Sequence, residues 1–148
     1  MKTRILMLSA LIFIVACNKD KFTTIPQVKI SSISPSIVNN GNIITLKGSY
    51  TDDEGDMDSV LIVYKWYNGV TVVKNDTFRY NFESLGVPDK TREADIKVTF
   101  QYNTANPGPP TLPGVIKDTT ATLGLILKDK KENRSDYKES EPIRLKKI

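Results

Sequence analysis

"ADIKVTFQY", residues 94–102, decides the fold class. Ala94, Ile96, Val98, Phe100 and Tyr102 alternate with Asp95, Lys97, Thr99 and Gln101. Successive side chains of a strand point to opposite faces, so this segment reads as a strand with one face in a core and the other in water. The same period recurs on both sides. Upstream, "NIITLKGSY" puts Ile44, Leu46 and Tyr50 on one face, "SVLIVYKWY" groups Val60, Ile62, Tyr64 and Trp66, and "TFRYNFE" groups Phe78, Tyr80 and Phe82. Downstream, "TTATLGLILK" aligns Ala121, Leu123, Leu125 and Leu127, and "PIRLKKI" turns Ile143 and Leu145 inward. Val28 to Ser34 opens the series as an edge strand.

Turn residues separate these segments. Asn39-Asn40-Gly41 breaks the chain before Asn42, and Asn68-Gly69 is the positive-φ pair favoured in a two-residue hairpin, leading into a short strand from Val70 to Lys74. "NTANPGPPTLPGVIKD", residues 103–118, holds four prolines between Pro107 and Pro113. A proline cannot donate to a ladder, so this connection is expected to be a loop or extended crossover without pairing, and a recognition surface is one use for it. No segment has a helical period. The prediction is an all-β chain, an antiparallel immunoglobulin-like β-sandwich of seven or eight strands. Trp66 lies in phase with the core face and is expected inside; Tyr67 is out of phase and is expected outside. Arg144, Lys146 and Lys147 are expected to guard an edge strand against pairing.

The N-terminus reads as an address. Lys2 and Arg4 precede an apolar run from Ile5 to Ala16, which ends at Cys17, the one cysteine of the chain. A run of that length is too short to span a bilayer core of ~30 Å and matches the apolar part of a signal peptide. "IVAC", residues 14–17, resembles the lipobox of bacterial lipoproteins. The resemblance implies that the Cys17 sulfur is acylated and that cleavage before it leaves Cys17 as the mature N-terminus. It divides the chain into a signal peptide at 1–16, a lipidated N-terminus and polar tether at 17–27, and the sandwich at 28–148. Two or more acyl chains hold a protein on a membrane stably, where one holds it marginally. "NKDK", residues 18–21, resembles the export tags of Gram-negative lipoproteins, which favours the outer face of the outer membrane over its periplasmic face.

"ISSISPSIVNNGNIITLKGSY", residues 30–50, is similar to the opening of bacterial immunoglobulin-like modules of the IPT/TIG kind. "YTDDEGDMDSVLIVYKW", residues 50–66, is similar to the acidic turn and following strand of PKD and cadherin-like domains. Both resemblances imply a sandwich and neither implies an activity, because such modules serve as spacers, adhesins and glycan binders.

Composition narrows the chemistry. There is no histidine, which removes Ser-His-Asp and Cys-His catalysis and every histidine metal site. Without Lys2 and Arg4 the chain carries 19 basic and 17 acidic residues, a balance that gives nucleic-acid binding no support. The glycines have no phosphate-loop spacing. A hydrolase built on a pair of carboxylates is the remaining enzymatic alternative. "TDDEGDMDS", residues 51–59, is the candidate site: Asp52, Asp53, Glu54, Asp56 and Asp58 fall within seven positions. Hard cations such as calcium take several carboxylate oxygens together. The stretch is not an EF-hand, since the sixth and twelfth positions from Asp52 are Met57 and Val63. A calcium site and a plain solvated turn, using Asp and Gly for backbone reasons, are both open on these residues. The functional expectation is a lipid-anchored, non-catalytic binding or spacer module of the cell envelope, held to the membrane at Cys17. The alternative is a calcium-dependent binder of a glycan or protein.

Overall fold

A computed structural model describes residues 22–104 and 108–148. The proposed signal peptide, Cys17 and residues 18–21 lie outside the described residues. The chain forms β1 (Gln27–Ser34), β2 (Ile37–Val38), β3 (Ile43–Thr51), β4 (Met57–Asn68), β5 (Thr71–Asn81), a single 3-10 turn (Glu83–Leu85), β6 (Glu93–Tyr102), β7 (Thr111–Leu112), β8 (Thr119–Asp129), β9 (Lys138–Glu139) and β10 (Ile143–Leu145). One sheet runs β1-β3-β6-β7; the other runs β2-β10-β8-β4-β5, with β9 added on β8. The first strand segment thus sits on one sheet and β2, directly after it, on the other, where it pairs parallel with the last strand. The sheets enclose one core, which makes this an immunoglobulin-like sandwich.

The alternation in the sequence builds that core. Ile44, Leu46, Phe100 and Tyr102 from the first sheet meet Ile62, Leu123, Leu125, Leu127 and Leu145 from the second, all at 2% exposure or less. Fully burying one such side chain contributes about 1.5–3 kcal/mol, so the core holds the fold without any cysteine cross-link. Trp66 is buried as its phase predicts, 5.9 Å from the Tyr64 ring and with the Lys74 ammonium 4.5 Å from its own.

Five expectations are corrected. The described residues form ten strands, not seven or eight, because β2, β7 and β9 are two residues each and too short to show a period. Asn68 pairs with Thr71, so the hairpin loop is Gly69-Val70 and Asn68 stays in β4; Gly69, at φ 61°, alone takes the left-handed conformation there. Two separate strands after that hairpin are one, since Asn75 and Asp76 pair with Lys65 and Tyr64 instead of turning. The proline-rich connection does pair: Thr111 and Leu112 lie parallel to Gln101 and Tyr102. Proline lacks a donor but keeps its carbonyl, and Pro110 accepts the Gln101 N–H at 3.0 Å while Leu112 accepts that of Asn103 at 2.8 Å. Arg144 and Lys146 guard no free edge either, because β10 is enclosed between β2 and β8; Lys146 forms an ion pair with Asp118.

Candidate metal centre

At one end of the sandwich the chain leaves the first sheet after β3 and enters the second at β4. Asp52 is the first residue past β3 and continues the inward phase of Ile44, Leu46 and Tyr50, so it is carried under the end of the core and is 0% exposed. Its backbone N–H donates to the Arg92 carbonyl at 2.8 Å. Oδ2 accepts the N–H groups of Gly55 at 2.7 Å and Asp56 at 3.2 Å, three and four residues on, and these bonds close the turn. Oδ1 is buried with no partner. Burial raises the Asp52 carboxyl above the usual range; the two backbone N–H groups pull it down, and the charges of Asp56 and Glu54 add to the rise. Gly55 is required here. It sits at φ 65°, and a Cβ would lie 2.5 Å from the Lys90 carbonyl carbon.

Asp56 presents a second carboxylate, with Oδ1 buried and unpartnered. Its carbonyl accepts the Lys130 N–H at 2.8 Å, which ties the turn to the loop after β8. That tie brings in Asp129, the last residue of β8 and 1% exposed. Asp129 Oδ1 accepts the N–H groups of Lys131 at 2.9 Å and Asn133 at 2.8 Å, and Oδ2 accepts the Asn133 amide at 2.7 Å. One carboxylate oxygen from each of Asp52, Asp56 and Asp129 lies within 4.8 Å of the other two. Three buried or half-buried acids from two loops, one of them fully desolvated and half satisfied, form an all-oxygen donor set suited to a hard cation.

The other acids of the turn go elsewhere. Asp53 forms an ion pair with Arg92, and Asp58 accepts from Arg79 at 2.9 Å and Ser59 Oγ at 2.9 Å. Glu54 stands at the rim: Oε1 is 3.2 Å from the Lys131 ammonium and Oε2 is buried without a partner. Of the five acids expected from the sequence, Asp52 and Asp56 converge, and Asp129 is the one the sequence reading missed. It was marked all the same, because Asp129 follows Ala121, Leu123, Leu125 and Leu127 in the core phase. A charge in that phase has to find a buried partner or a ligand. A cleft of about 430 Å³ opens beside the turn, lined by Tyr50, Gly55, Met57, Asp58, Phe82 and Lys130 among others.

The start of the described chain docks at this same end. The Thr23 carbonyl accepts the Asp53 N–H at 3.1 Å, and the Arg92 guanidinium lies 4.3 Å from the Phe22 ring centre. A separate polar cluster covers the outer face of the second sheet. Glu139 accepts from Thr122 at 2.7 Å, Tyr137 at 2.9 Å and Tyr67 at 3.0 Å, with Lys65 at 3.1 Å. Tyr67 is therefore half-buried and bonded, not free on the surface. Burial pushes the Glu139 carboxyl up, and bonds from Thr122, Lys65, Tyr137 and Tyr67 outweigh it, holding the group at about 2.

No protein-family model matches the sequence, and no curated protein is similar to it. Among solved structures, the chain is similar to the sporulation control protein Spo0M of Bacillus subtilis, with 9% identity and TM-score 0.42 over 84% of this chain and 50% of that one. It is similar to the alkylpurine DNA glycosylase AlkC of Pseudomonas fluorescens bound to abasic-site DNA, with 11% identity and TM-score 0.43 over 78% of this chain and 30% of that one. It is also similar to the CARDB domain of PF1109 from Pyrococcus furiosus in complex with di-metal ions, with 12% identity and TM-score 0.33 over 86% and 92%. The chain thus spans half or less of the first two. Likenesses at this level assign neither ligand nor activity to this chain.

Proposed function

We propose that this chain is a lipid-anchored immunoglobulin-like module of the bacterial cell envelope that works by binding and not by catalysis, with a calcium ion held by Asp52, Asp56 and Asp129. The buried Asp52 carboxylate carries the reading: Oδ1 is buried with no protein donor beside it, and a buried anion is costly unless it is paired. A divalent cation between the three aspartates would compensate it. Calcium fits better than magnesium, because it takes 6–8 oxygens in flexible geometry and magnesium demands a tight octahedron. Cys17 lies six residues before Thr23, whose carbonyl meets the acidic turn, so a lipidated Cys17 would sit within about 22 Å of that contact. The site would then face the membrane-proximal side, with the neighbouring cleft open to a protein or glycan ligand.

The mature protein melted in calcium, in chelator and in sodium of equal ionic strength tests the site. At tenfold excess over Kd, calcium adds about 1.4 kcal/mol, a rise of several degrees for a domain this size. Magnesium gives less and sodium close to nothing. Equal melting temperatures in all conditions would remove the cation from this reading. The anchor is tested separately: the wild type incorporates labelled palmitate and Cys17→Ser does not; persistent labelling of the variant would place the lipid elsewhere, and an unlabelled wild type would remove it.

A further inference from the structure

We propose that Lys131 is the internal counter-cation of this site: its ammonium neutralises the carboxylates in the metal-free chain and is displaced by a divalent cation, so Lys131 sets the affinity and the discrimination against monovalent ions. The inference rests on the metal reading above and adds its regulation. Lys131 Nζ is 3.2 Å from Glu54 Oε1 and 3.8 Å from Asp56 Oδ2. Its backbone N–H is fixed on Asp129 Oδ1 at 2.9 Å, so the side chain is rooted on one aspartate of the cluster and reaches over another. The side chain is 56% exposed, which lets the ammonium swing into water while the loop beneath it stays bonded. The neighbouring cations are committed to other partners: Lys130 to Asp89 at 2.8 Å, Arg92 to Asp53 and Arg79 to Asp58.

The charge arithmetic gives the selectivity. A monovalent ion entering the cluster exchanges one positive charge for another and gains little Coulomb energy, after losing its hydration. A divalent ion brings one charge more than it displaces. Removing the ammonium should therefore help every cation, and should help monovalent ions from almost nothing. For an ammonium within about 4 Å of two carboxylates in a water-like dielectric, the attraction that a displacing cation forfeits is roughly tenfold in affinity.

Calorimetric titration of the mature protein with calcium chloride, on the wild type, Lys131→Gln and Lys131→Arg, tests this. The expected result is about tenfold tighter calcium binding by Lys131→Gln and wild-type affinity in Lys131→Arg. In melting experiments Lys131→Gln should also gain a sodium-dependent rise that the wild type lacks, and its melting temperature in chelator should fall. A lysine that merely supports the loop would lower melting temperatures under all conditions and leave calcium affinity unchanged or weaker, which would overturn the proposal. If the wild type and Lys131→Gln bind calcium equally, Lys131 has no such role and the site survives. If none of the three chains binds calcium, the site itself falls and Lys131 with it.

Discussion

Asp52→Asn should change the stability of this protein in opposite directions with and without calcium. In the metal-free chain the substitution removes a charge from a side chain that is 0% exposed, two of whose acceptor interactions are made on Oδ2 and none on Oδ1. Asparagine keeps a carbonyl for the Gly55 and Asp56 N–H groups and sets an amide donor among the carboxylates. Relieving an unpartnered buried acceptor is worth about 1–3 kcal/mol. Bonds to an ion are roughly twice as strong as neutral ones, so the two turn bonds lose part of that gain. The net is about 1 kcal/mol of stabilisation in chelator, some 3–5 °C for a domain of this size. At hundredfold excess of calcium over Kd the wild type gains about 2.7 kcal/mol. The variant, lacking a ligand, gains little, and the order of stability reverses. Circular-dichroism melts in chelator and in calcium measure all four values. A variant that is less stable than the wild type in chelator, or that keeps the full calcium response, would refute the reasoning.

Gly124→Ala should destabilise the domain by about 1–3 kcal/mol, the usual cost of overpacking, because a Cβ would lie 2.2–2.4 Å from the Tyr137 ring and displace it from Glu139; urea midpoints of Gly124→Ala with and without Tyr137→Ala check it, and a clash-based cost disappears in the double variant. Glu139 contributes stability that is complete above pH 4.5 and lost as pH falls toward its folded value of about 2; with its side chain 34% exposed, solvent screening leaves roughly 1–2 kcal/mol, and Glu139→Gln should flatten the urea midpoint over that window. Trp66→Ala should cost ~3–5 kcal/mol as a deleted buried aromatic; an unchanged midpoint would mean that Trp66 is not part of the core.

The core was legible wherever a strand is long. Residues 94–102 and 119–127 alternate over enough positions to fix which side chains face inward, and each of the five even- or odd-numbered sets predicted for the core in β3, β4, β6, β8 and β10 lies on the inner face. Short pairings left no trace, because two residues cannot carry a period; β7 in particular was hidden by prolines whose carbonyls still accept. Half of the site was visible as an acid-rich turn. The other half came from a residue far along the chain, and local crowding of acids gave no weight to Asp129, one charge beside lysines. Phase was the better signal. Asp52 and Asp129 each stand one step beyond the last apolar residue of an inward-facing series, which separates them from Asp53; Asp58 shares the phase of Val60 and Ile62, and the register shift between Met57 and Ser59 leaves it half-buried against Arg79 instead.

The magnitudes also separate what folds this domain from what the site does. Calcium affinities of extracellular modules lie near 10⁻⁴–10⁻³ M, so millimolar calcium would supply only about 0.4–1.4 kcal/mol through the three aspartates. One buried tryptophan outweighs that, and 21 hydrophobic residues among those described are buried in this core. The described residues contain no cysteine, and the inter-sheet disulfide of antibody domains has no counterpart in them. Apolar packing is therefore what holds the sheets together, and a cation would tighten one end of an already folded sandwich. Chelator should then leave the near-ultraviolet signal of the buried aromatics and the cooperativity of unfolding intact, while hydrogen exchange quickens at residues 52–56 and 129–133 alone. Global loss of the aromatic signal in chelator would mean that the cation is a condition of folding, and the ranking of these two contributions would be wrong.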